Sequence, residues 1–149
     1  GLGLAVCCDY RVCTPGSKFA LPAAKLGLGY GYPGLRRFID QIGPTHTRDI
    51  FYTSRQLDAE EARAIGIVSR VVADHALETY VGDYARTIAE NAPLTVSAIK
   101  YITTEALKPE SERNLQGCAD KVAACFASED YKEGRKAFME KRKPQFKGK

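Results

Sequence analysis

The side chains best suited to acid–base chemistry in this sequence lie in one glycine-rich stretch, residues 19–34. This stretch carries Lys25, Tyr30 and Tyr32 among four glycines and two prolines. A phenol can donate or accept a hydrogen bond, and a lysine ammonium donates only. Apolar, glycine-rich connections are often binding loops, because glycine lets a ligand approach the backbone closely. The composition is equally compatible with a structural turn packed on the core.

The cysteines and one histidine are weaker candidates for chemistry. The five cysteines are odd in number and lack the spacing of zinc ligands. We expect them to be buried free thiols, including Cys7 and Cys8, which are adjacent in an apolar run. His46 follows a predicted helix start and has no partner nearby in sequence, so it is expected at the surface.

The elements before and around the glycine-rich stretch are predicted to be short. Residues 1–8 are apolar on every side, and periodicity does not decide between a buried helix and a buried strand. Residues 10–13 alternate between polar and apolar side chains, and residues 67–72 are rich in β-branched ones. Turn-forming residues at 14–17 separate the short segments 10–13 and 18–21. Strands are predicted at residues 10–13, 18–21 and 67–72.

Proline, glycine and capping residues delimit the predicted helices. Pro33 opens a helix that Gly43 and Pro44 stop. Asp58 and Glu61 form a capping-box-like pair for a helix that ends at Gly66. Later helices are predicted to start at Asp74, Pro93, Pro109 and Ser128, the last running to about Lys143. The amphipathic faces after Pro93 have little of their own to cover them, which suggests packing on the rest of the domain or on another subunit.

Composition limits the classes of partner. The 149 residues are 44% hydrophobic and 27% charged, which is ordinary for a soluble domain. No apolar run approaches the roughly 20 residues of a membrane span. The net charge of +4 is mild, and no recognised nucleic-acid motif accompanies it. We therefore expect neither a nucleic-acid nor a membrane partner.

Four segments together resemble the crotonase family, also called the enoyl-CoA hydratase/isomerase superfamily. In the order and spacing of that family they are residues 1–9, 19–27, 56–68 and 133–146. The resemblance covers the whole chain and about the C-terminal half of a typical member. It implies an α/β fold, with residues 1–92 forming the C-terminal part of a ββα spiral and residues 93–149 a helical trimerisation and CoA-contacting region.

The resemblance implies an acyl-CoA substrate and stabilisation of a thioester enolate by two backbone N–H groups. It places both donors in segments before Gly1. Family hydratases hold water with two glutamates, and the matching positions here are Gly3 and Ala23, neither of which can move a proton. No acidic residue lies between Asp9 and Asp40. Hydratase chemistry is therefore in doubt, and a catalytically inert acyl-CoA-binding protein or a fragment retaining only oligomerisation are the alternatives.

The resemblance also implies roles for individual residues. Tyr30 matches a catalytic aspartate of the naphthoate synthases, so we hypothesise that Tyr30 replaces the missing acid–base function. Ala23, Leu26 and Tyr32 are expected to line the acyl pocket, although both tyrosines could simply line an apolar wall.

The expected CoA contacts lie near the end of the chain. Phe138 would stack on adenine and Lys141 would meet a phosphate, the alternative being a solvated basic tail. Another aromatic position of the family matches Val122. No metal and no cofactor beyond the substrate's coenzyme A are expected. The resemblance further implies a cytoplasmic homotrimer or dimer of trimers.

Overall fold

The computed structural model describes residues 1–149 and contains seven α-helices and two short strands. In chain order they are α1 (Leu2–Ala5), β1 (Val12–Cys13), α2 (Tyr32–Thr53), α3 (Ala59–Ala64), β2 (Arg70–Val71), α4 (Leu77–Ala89), α5 (Pro93–Ala106), α6 (Leu115–Ala127) and α7 (Glu129–Met139). Single-turn 3-10 helices lie at Ala24–Leu26, Asp74–Ala76 and Glu110–Glu112. The chain forms two compact units, residues 1–81 and 82–149, which divide within α4, whereas the sequence placed a boundary after residue 92.

The first unit contains the only sheet, a parallel pair formed by β1 and β2. Val12 is beside Arg70 and Cys13 is beside Val71. Both strands fall inside the segments predicted from sequence, but the pairing covers only two residues of each. The strand predicted at residues 18–21 is reduced to one antiparallel bridge, in which Phe19 and Leu57 exchange both backbone hydrogen bonds.

Helix α2 follows the predicted start and contains the predicted interruption. Pro33 lies in its first turn, where a missing N–H costs nothing. Gly43 has a φ of 72°, in the left-handed region, and bends the helix just before Pro44. The helix then resumes, because proline is tolerated in the first turn of the second segment. The stop predicted at Gly43 is thus a kink between two helical segments.

The core of the first unit forms where the two halves of α2 meet the segments around α3. Its largest fully buried side chains are Phe38, Ile50, Leu57 and Ile67. Phe38 packs edge-on against Phe51, with ring centroids 5.3 Å apart. Fully burying an aliphatic or aromatic side chain of this size contributes roughly 1.5–3 kcal/mol, so this cluster fixes the path of α2.

Helix α3 confirms its predicted cap. The Asp58 carboxylate accepts a hydrogen bond from the Glu61 backbone N–H at 2.8 Å. The helix is followed by Gly66 at φ 92°, where an added Cβ would lie 3.3 Å from the Gln41 carbonyl oxygen. Glycine at residue 66 therefore satisfies both the left-handed conformation and the close approach to α2.

Arg11 joins the end of α1 to the rest of the first unit. Its guanidinium donates to the Cys8 carbonyl at 2.6 Å and to the Gln41 side-chain carbonyl at 2.7 Å. It also donates to the Ile67 carbonyl. Because one planar fork serves three segments, Arg11 joins the turn after α1 to α2 and to the segment that precedes β2.

In the second unit, α5 and α6 pack on each other through a buried polar junction. Glu105 is 5% exposed and accepts hydrogen bonds from the Asn114 backbone N–H and the Lys108 ammonium. These two bonds hold the pKa of the Glu105 carboxyl below its ordinary value. Asn114 in turn caps α6 by accepting from the Gly117 N–H at 2.8 Å.

The other helix ends follow the sequence only in part. Ser128 caps α7 as predicted, accepting from the Tyr131 N–H at 3.0 Å. Asp74 does not cap α4, since it begins a 3-10 turn whose cap position is Ala73. Helix α7 ends at Met139 rather than near Lys143, because the chain turns back along the helix.

The apolar side chains of α5 and α6 are divided between core and surface. Ala98 is buried, whereas Ile99 is 58% exposed and Val122 is 42% exposed. Exposed apolar side chains continue along α6 at Leu115 and Phe126. None of the helices combines the length and the apolar composition needed to cross a bilayer.

Candidate functional site

Tyr30 is anchored by aromatic packing in the first unit. Its ring lies edge-on to Phe51 at 4.8 Å and to Phe38 at 6.4 Å between centroids. The side chain is half-buried against the hydrophobic core. Edge-to-face aromatic pairs contribute about 0.5–1.5 kcal/mol beyond burial, so the ring is held in one orientation.

Two glycines lie against the Tyr30 side chain. A Cβ added at Gly3 would lie 2.9 Å from the Tyr30 hydroxyl oxygen, and one added at Gly34 would lie 2.6 Å from the ring Cε1. Real Cβ atoms do not approach other heavy atoms this closely. The position of Tyr30 thus depends on the absence of a side chain at both residues. The structure brings together Gly3 and Tyr30, which the sequence singled out separately.

The residues predicted to line an acyl pocket occupy two different environments. Ala23 is 7% exposed and its carbonyl accepts from the Leu28 N–H at 2.9 Å. Leu26 and Tyr32 are 71% and 74% exposed. Gly27, at φ 62°, turns the chain between them. Their role in an acyl pocket stays a prediction.

The contact of Gly34 with Tyr30 is not predicted by the sequence pattern. The signal available was the alternation of glycine and tyrosine from Gly29 to Gly34, which places small residues on both sides of a ring. Spacing alone did not say which glycine the ring covers, because that depends on the turn between Tyr30 and α2.

The second unit contains an apolar groove of about 590 Å³ between α5, α6 and α7. It is lined mainly by aliphatic and aromatic side chains, including Ile99, Ile102, Val122, Phe126, Phe138 and Phe146. Phe138 is 86% exposed, so one face of its ring is accessible beside the groove. An accessible aromatic ring at the edge of an apolar groove can stack on a planar ligand.

Lys141 follows Phe138 immediately after the end of α7. Its φ of 52° places it in the left-handed region, and its side chain is exposed. The neighbouring ion pairs of α7 use other cations: Lys132 with Glu129, and Arg142 with Glu133. The Lys141 ammonium is therefore available to an anion.

Two carboxylates of α7 fasten the C-terminal segment, residues 140–149, back onto the helix. Asp130 is 4% exposed and accepts from the Lys147 and Gly148 backbone N–H groups, each at 2.7 Å. Glu133 accepts two hydrogen bonds from Arg142, at 2.6 and 2.8 Å.

These bonds also set the protonation of Glu133. The Arg142 guanidinium, together with the Gln145 N–H that donates to the same carboxylate, lowers the pKa of Glu133 to about 2. The segment they hold places Phe146 against Gly134, where it lines the groove.

The thiols differ from the expectation of uniform burial. Cys13 is buried, and burial raises the pKa of its thiol, whereas Cys7 and Cys8 are exposed. The expectation was wrong for the adjacent pair because α1 is only four residues long and turns them away from the core. His46 is exposed on α2, as predicted. No group of three or more His, Cys, Asp or Glu side chains is placed to hold a metal ion.

Comparison with known proteins places these observations in one family. A model described as enoyl-CoA hydratase/isomerase matches residues 1–149. The chain is 36% identical over 146 residues to the crotonyl-CoA hydratase of Syntrophomonas wolfei, covering 98% of this chain and 56% of that protein. It is 37% identical over 152 residues to the carnitinyl-CoA dehydratase of Salmonella arizonae, covering 99% of this chain and 58% of the relative.

A solved structure shows the same fold. A crystal structure of an enoyl-CoA hydratase/carnithine racemase from Magnetospirillum magneticum superposes with a TM-score of 0.89 at 35% identity, covering 99% of this chain and 55% of that one. The predicted fold class is confirmed by this match. The chain spans somewhat more than half the length of the relatives it matches.

Proposed function

The chain belongs to the enoyl-CoA hydratase/isomerase family, and we propose from this that it is part of an enzyme that binds an acyl-CoA thioester and stabilises its enolate. The observation that carries the proposal is the match of one family model to every residue of the chain. The relatives named above act, by their names, on crotonyl-CoA and carnitinyl-CoA, both thioesters of coenzyme A. The shared chemical class is the acyl-CoA thioester.

The part of the reaction assigned to this chain is limited by its side chains. Gly3 and Ala23 carry no group that can move a proton, so water activation by a pair of carboxylates at these two positions is excluded. Enolate stabilisation by backbone N–H donors does not need those side chains. The proposal is therefore enolate chemistry on an acyl-CoA, with hydration as the less favoured reaction.

The coenzyme A end of the substrate is proposed to lie at the C-terminal end of α7. The exposed ring of Phe138 supplies a stacking surface for adenine, and the Lys141 ammonium supplies a charge for a phosphate. The groove beside Phe138 is apolar and open, which supports binding of a partly apolar ligand.

The exposed apolar side chains of the second unit support a further proposal, that copies of the chain assemble. Contiguous apolar surface on a soluble protein marks an interaction site. Exposed apolar side chains of the second unit lie on α4, α5 and α6, at Tyr84, Ile88, Val96, Ile99, Leu115, Val122 and Phe126. We propose a homotrimer or a dimer of trimers, which sedimentation of the full-length protein would test.

The test of acyl-CoA binding is titration of the full-length protein with coenzyme A and crotonyl-CoA. Phe138→Ala is expected to weaken binding of coenzyme A by roughly tenfold, since stacking of a base is worth about 1–3 kcal/mol. Lys141→Asn is expected to have an effect of about the same size, since a hydrogen bond between charged groups contributes about 1.5–3 kcal/mol. Asparagine tolerates the left-handed backbone at residue 141. The matched control is Lys143→Asn, which removes a charge that is paired with Glu90.

Turnover separates the remaining alternatives. Hydration of crotonyl-CoA would restore the hydratase assignment despite Gly3 and Ala23. Binding without turnover of any acyl-CoA would favour the inert binding protein. Absence of coenzyme A binding by the full-length protein would overturn the proposal and leave oligomerisation as the retained role.

A further inference from the structure

The geometry points to Glu133 and Arg142 as positioning residues for the anion contact at the C-terminal end of α7. Their ion pair holds the backbone turn that places the Lys141 ammonium against a phosphate of coenzyme A. The inference rests on the proposed acyl-CoA function and adds to it the residues that keep one of its contacts in place. Neither positioning residue touches the ligand, since both act through Lys141.

Helix α7 ends in a Schellman turn whose left-handed residue is Lys141. The Arg142 N–H donates to the Ala137 carbonyl at 3.0 Å, and the Lys141 N–H donates to the Phe138 carbonyl at 3.3 Å. Lys141 has a φ of 52°, in the left-handed region. That position of the turn is usually glycine, because a Cβ in this conformation lies too close to the following carbonyl oxygen. Residue 141 is therefore a costly position for a lysine.

Three charge-assisted hydrogen bonds on the next residue hold this turn closed. The Arg142 guanidinium donates two of them to the Glu133 carboxylate, at 2.6 and 2.8 Å, and the third to Glu140 at 2.6 Å. The Glu133 side chain is 24% exposed, and bidentate pairing of this kind is stronger than a single surface contact. The pair thus ties the residue after Lys141 back to the second turn of α7.

The same turn links Lys141 to the proposed stacking surface. Phe138 lines the apolar groove, and its carbonyl accepts the Lys141 N–H. One hydrogen-bonded turn therefore fixes the spacing of the two side chains proposed to meet adenine and phosphate. A flexible tail would lose conformational entropy whenever its lysine met a phosphate, and a held turn reduces that loss. A strained backbone position kept by its surroundings is a feature of binding sites.

The test is a double-mutant cycle in the full-length protein, measured by titration with coenzyme A. Glu133→Gln is expected to weaken binding roughly fivefold in the Lys141 protein, since residues in one network are coupled. In the Lys141→Asn background it is expected to have no effect, because the ammonium that it positions is gone. Direct electrostatics predicts the opposite sign, since loss of a negative charge favours an anionic ligand. The matched control is Glu129→Gln, which removes a carboxylate of α7 that pairs only with Lys132.

Lys141→Gly tests the strained turn separately, because its expected effects on the turn and on binding have opposite signs. Glycine removes the cost of the left-handed backbone, so exchange of the Arg142 amide hydrogen is expected to slow roughly fivefold. Binding of coenzyme A is expected to weaken as much as in Lys141→Asn. Unchanged or faster exchange in Lys141→Gly would overturn the inference, and this measurement does not depend on the folding of Glu133→Gln.

The outcomes of the titrations separate the two proposals. Failure of the wild-type protein to bind coenzyme A overturns the proposed function itself. Unchanged or tighter binding in Glu133→Gln overturns the positioning role while leaving acyl-CoA binding intact. Equal weakening by Glu133→Gln in both backgrounds overturns it as well, because a merely structural effect does not depend on residue 141. Weakening confined to the Lys141 background, with Glu129→Gln silent, supports the inference.

Discussion

Asp130 is predicted to control the attachment of the C-terminal segment, residues 140–149. Its two carboxylate oxygens each accept a backbone N–H, from Lys147 and Gly148, at 2.7 Å, and its own N–H donates to the Lys149 carbonyl at 3.2 Å. The substitution Asp130→Asn keeps the size of the side chain. It leaves one acceptor and turns an amide N–H₂ toward a backbone N–H that needs an acceptor.

The magnitude follows from the number and type of the bonds lost. Hydrogen bonds to a charged group contribute about 1.5–3 kcal/mol each, and a neutral one about 0.5–1.5 kcal/mol. Replacing two charged bonds by one neutral bond costs about 2–3 kcal/mol of local stability, towards the lower end of these ranges. That corresponds to a rise of roughly 30- to 150-fold in opening of the segment.

Amide hydrogen exchange at Lys147 and Gly148 measures this opening directly. The control is Glu129→Gln, the preceding residue, which removes the same charge from the first turn of α7 but pairs only with Lys132 at the surface. An increase in exchange of less than threefold in Asp130→Asn, or an equal increase in Glu129→Gln, would refute the reasoning. The opening would also release Phe146 from the groove.

Three further predictions concern stability of the full-length protein. The pKa of the Glu133 carboxyl is about 2, against an ordinary value of 4.5. The hydrogen bonds of this carboxylate therefore stabilise the fold fully above pH about 4.5, and their contribution is lost as the pH falls towards about 2. The difference in melting temperature between wild type and Glu133→Gln should close over that range, and a constant difference would contradict the prediction. Phe38→Ala is expected to lower the free energy of unfolding by about 3–5 kcal/mol, because the side chain is fully buried; Ile39→Ala, its partly exposed neighbour, should cost far less in the same denaturant titration. Gly43→Ala should lower the free energy of unfolding by about 1 kcal/mol, and Gly82→Ala should raise it by up to about 1 kcal/mol. Neither new Cβ meets an atom within 4 Å, and of the two glycines only Gly43 has a positive φ. Equal shifts in the denaturation midpoint of the two variants would show that the positive φ is not the cause.

The local signals in the sequence correctly predicted most of the helix starts that a few contiguous residues decide. Asp58 and Ser128 cap the helices that they were predicted to cap, and Pro33 opens α2. A cap is decided by a side chain and a backbone N–H three residues away, so it can be predicted without the fold. The capping prediction failed at Asp74, where the chain makes a 3-10 turn before α4 begins.

The resemblance of four sequence segments was likewise sufficient to predict the family, because the order and spacing of motifs can be read directly along the chain. It also singled out Gly3, Ala23 and Tyr30 as positions where the expected chemistry is altered. Nothing in the spacing of residues 3 and 30 indicated that their atoms compete for one volume.

Tertiary structure alone decided that Tyr30 lies between Gly3 and Gly34, that Ala23 is buried while Leu26 is exposed, and that Asp130 clamps a segment from the far end of the chain. These are contacts between residues distant in sequence. Their distances depend on how α1, α2 and the glycine-rich stretch pack together, and a pattern of residue types along the chain does not contain those distances. The sequence by itself determined which side chains are available for chemistry, and packing decided which of them meet.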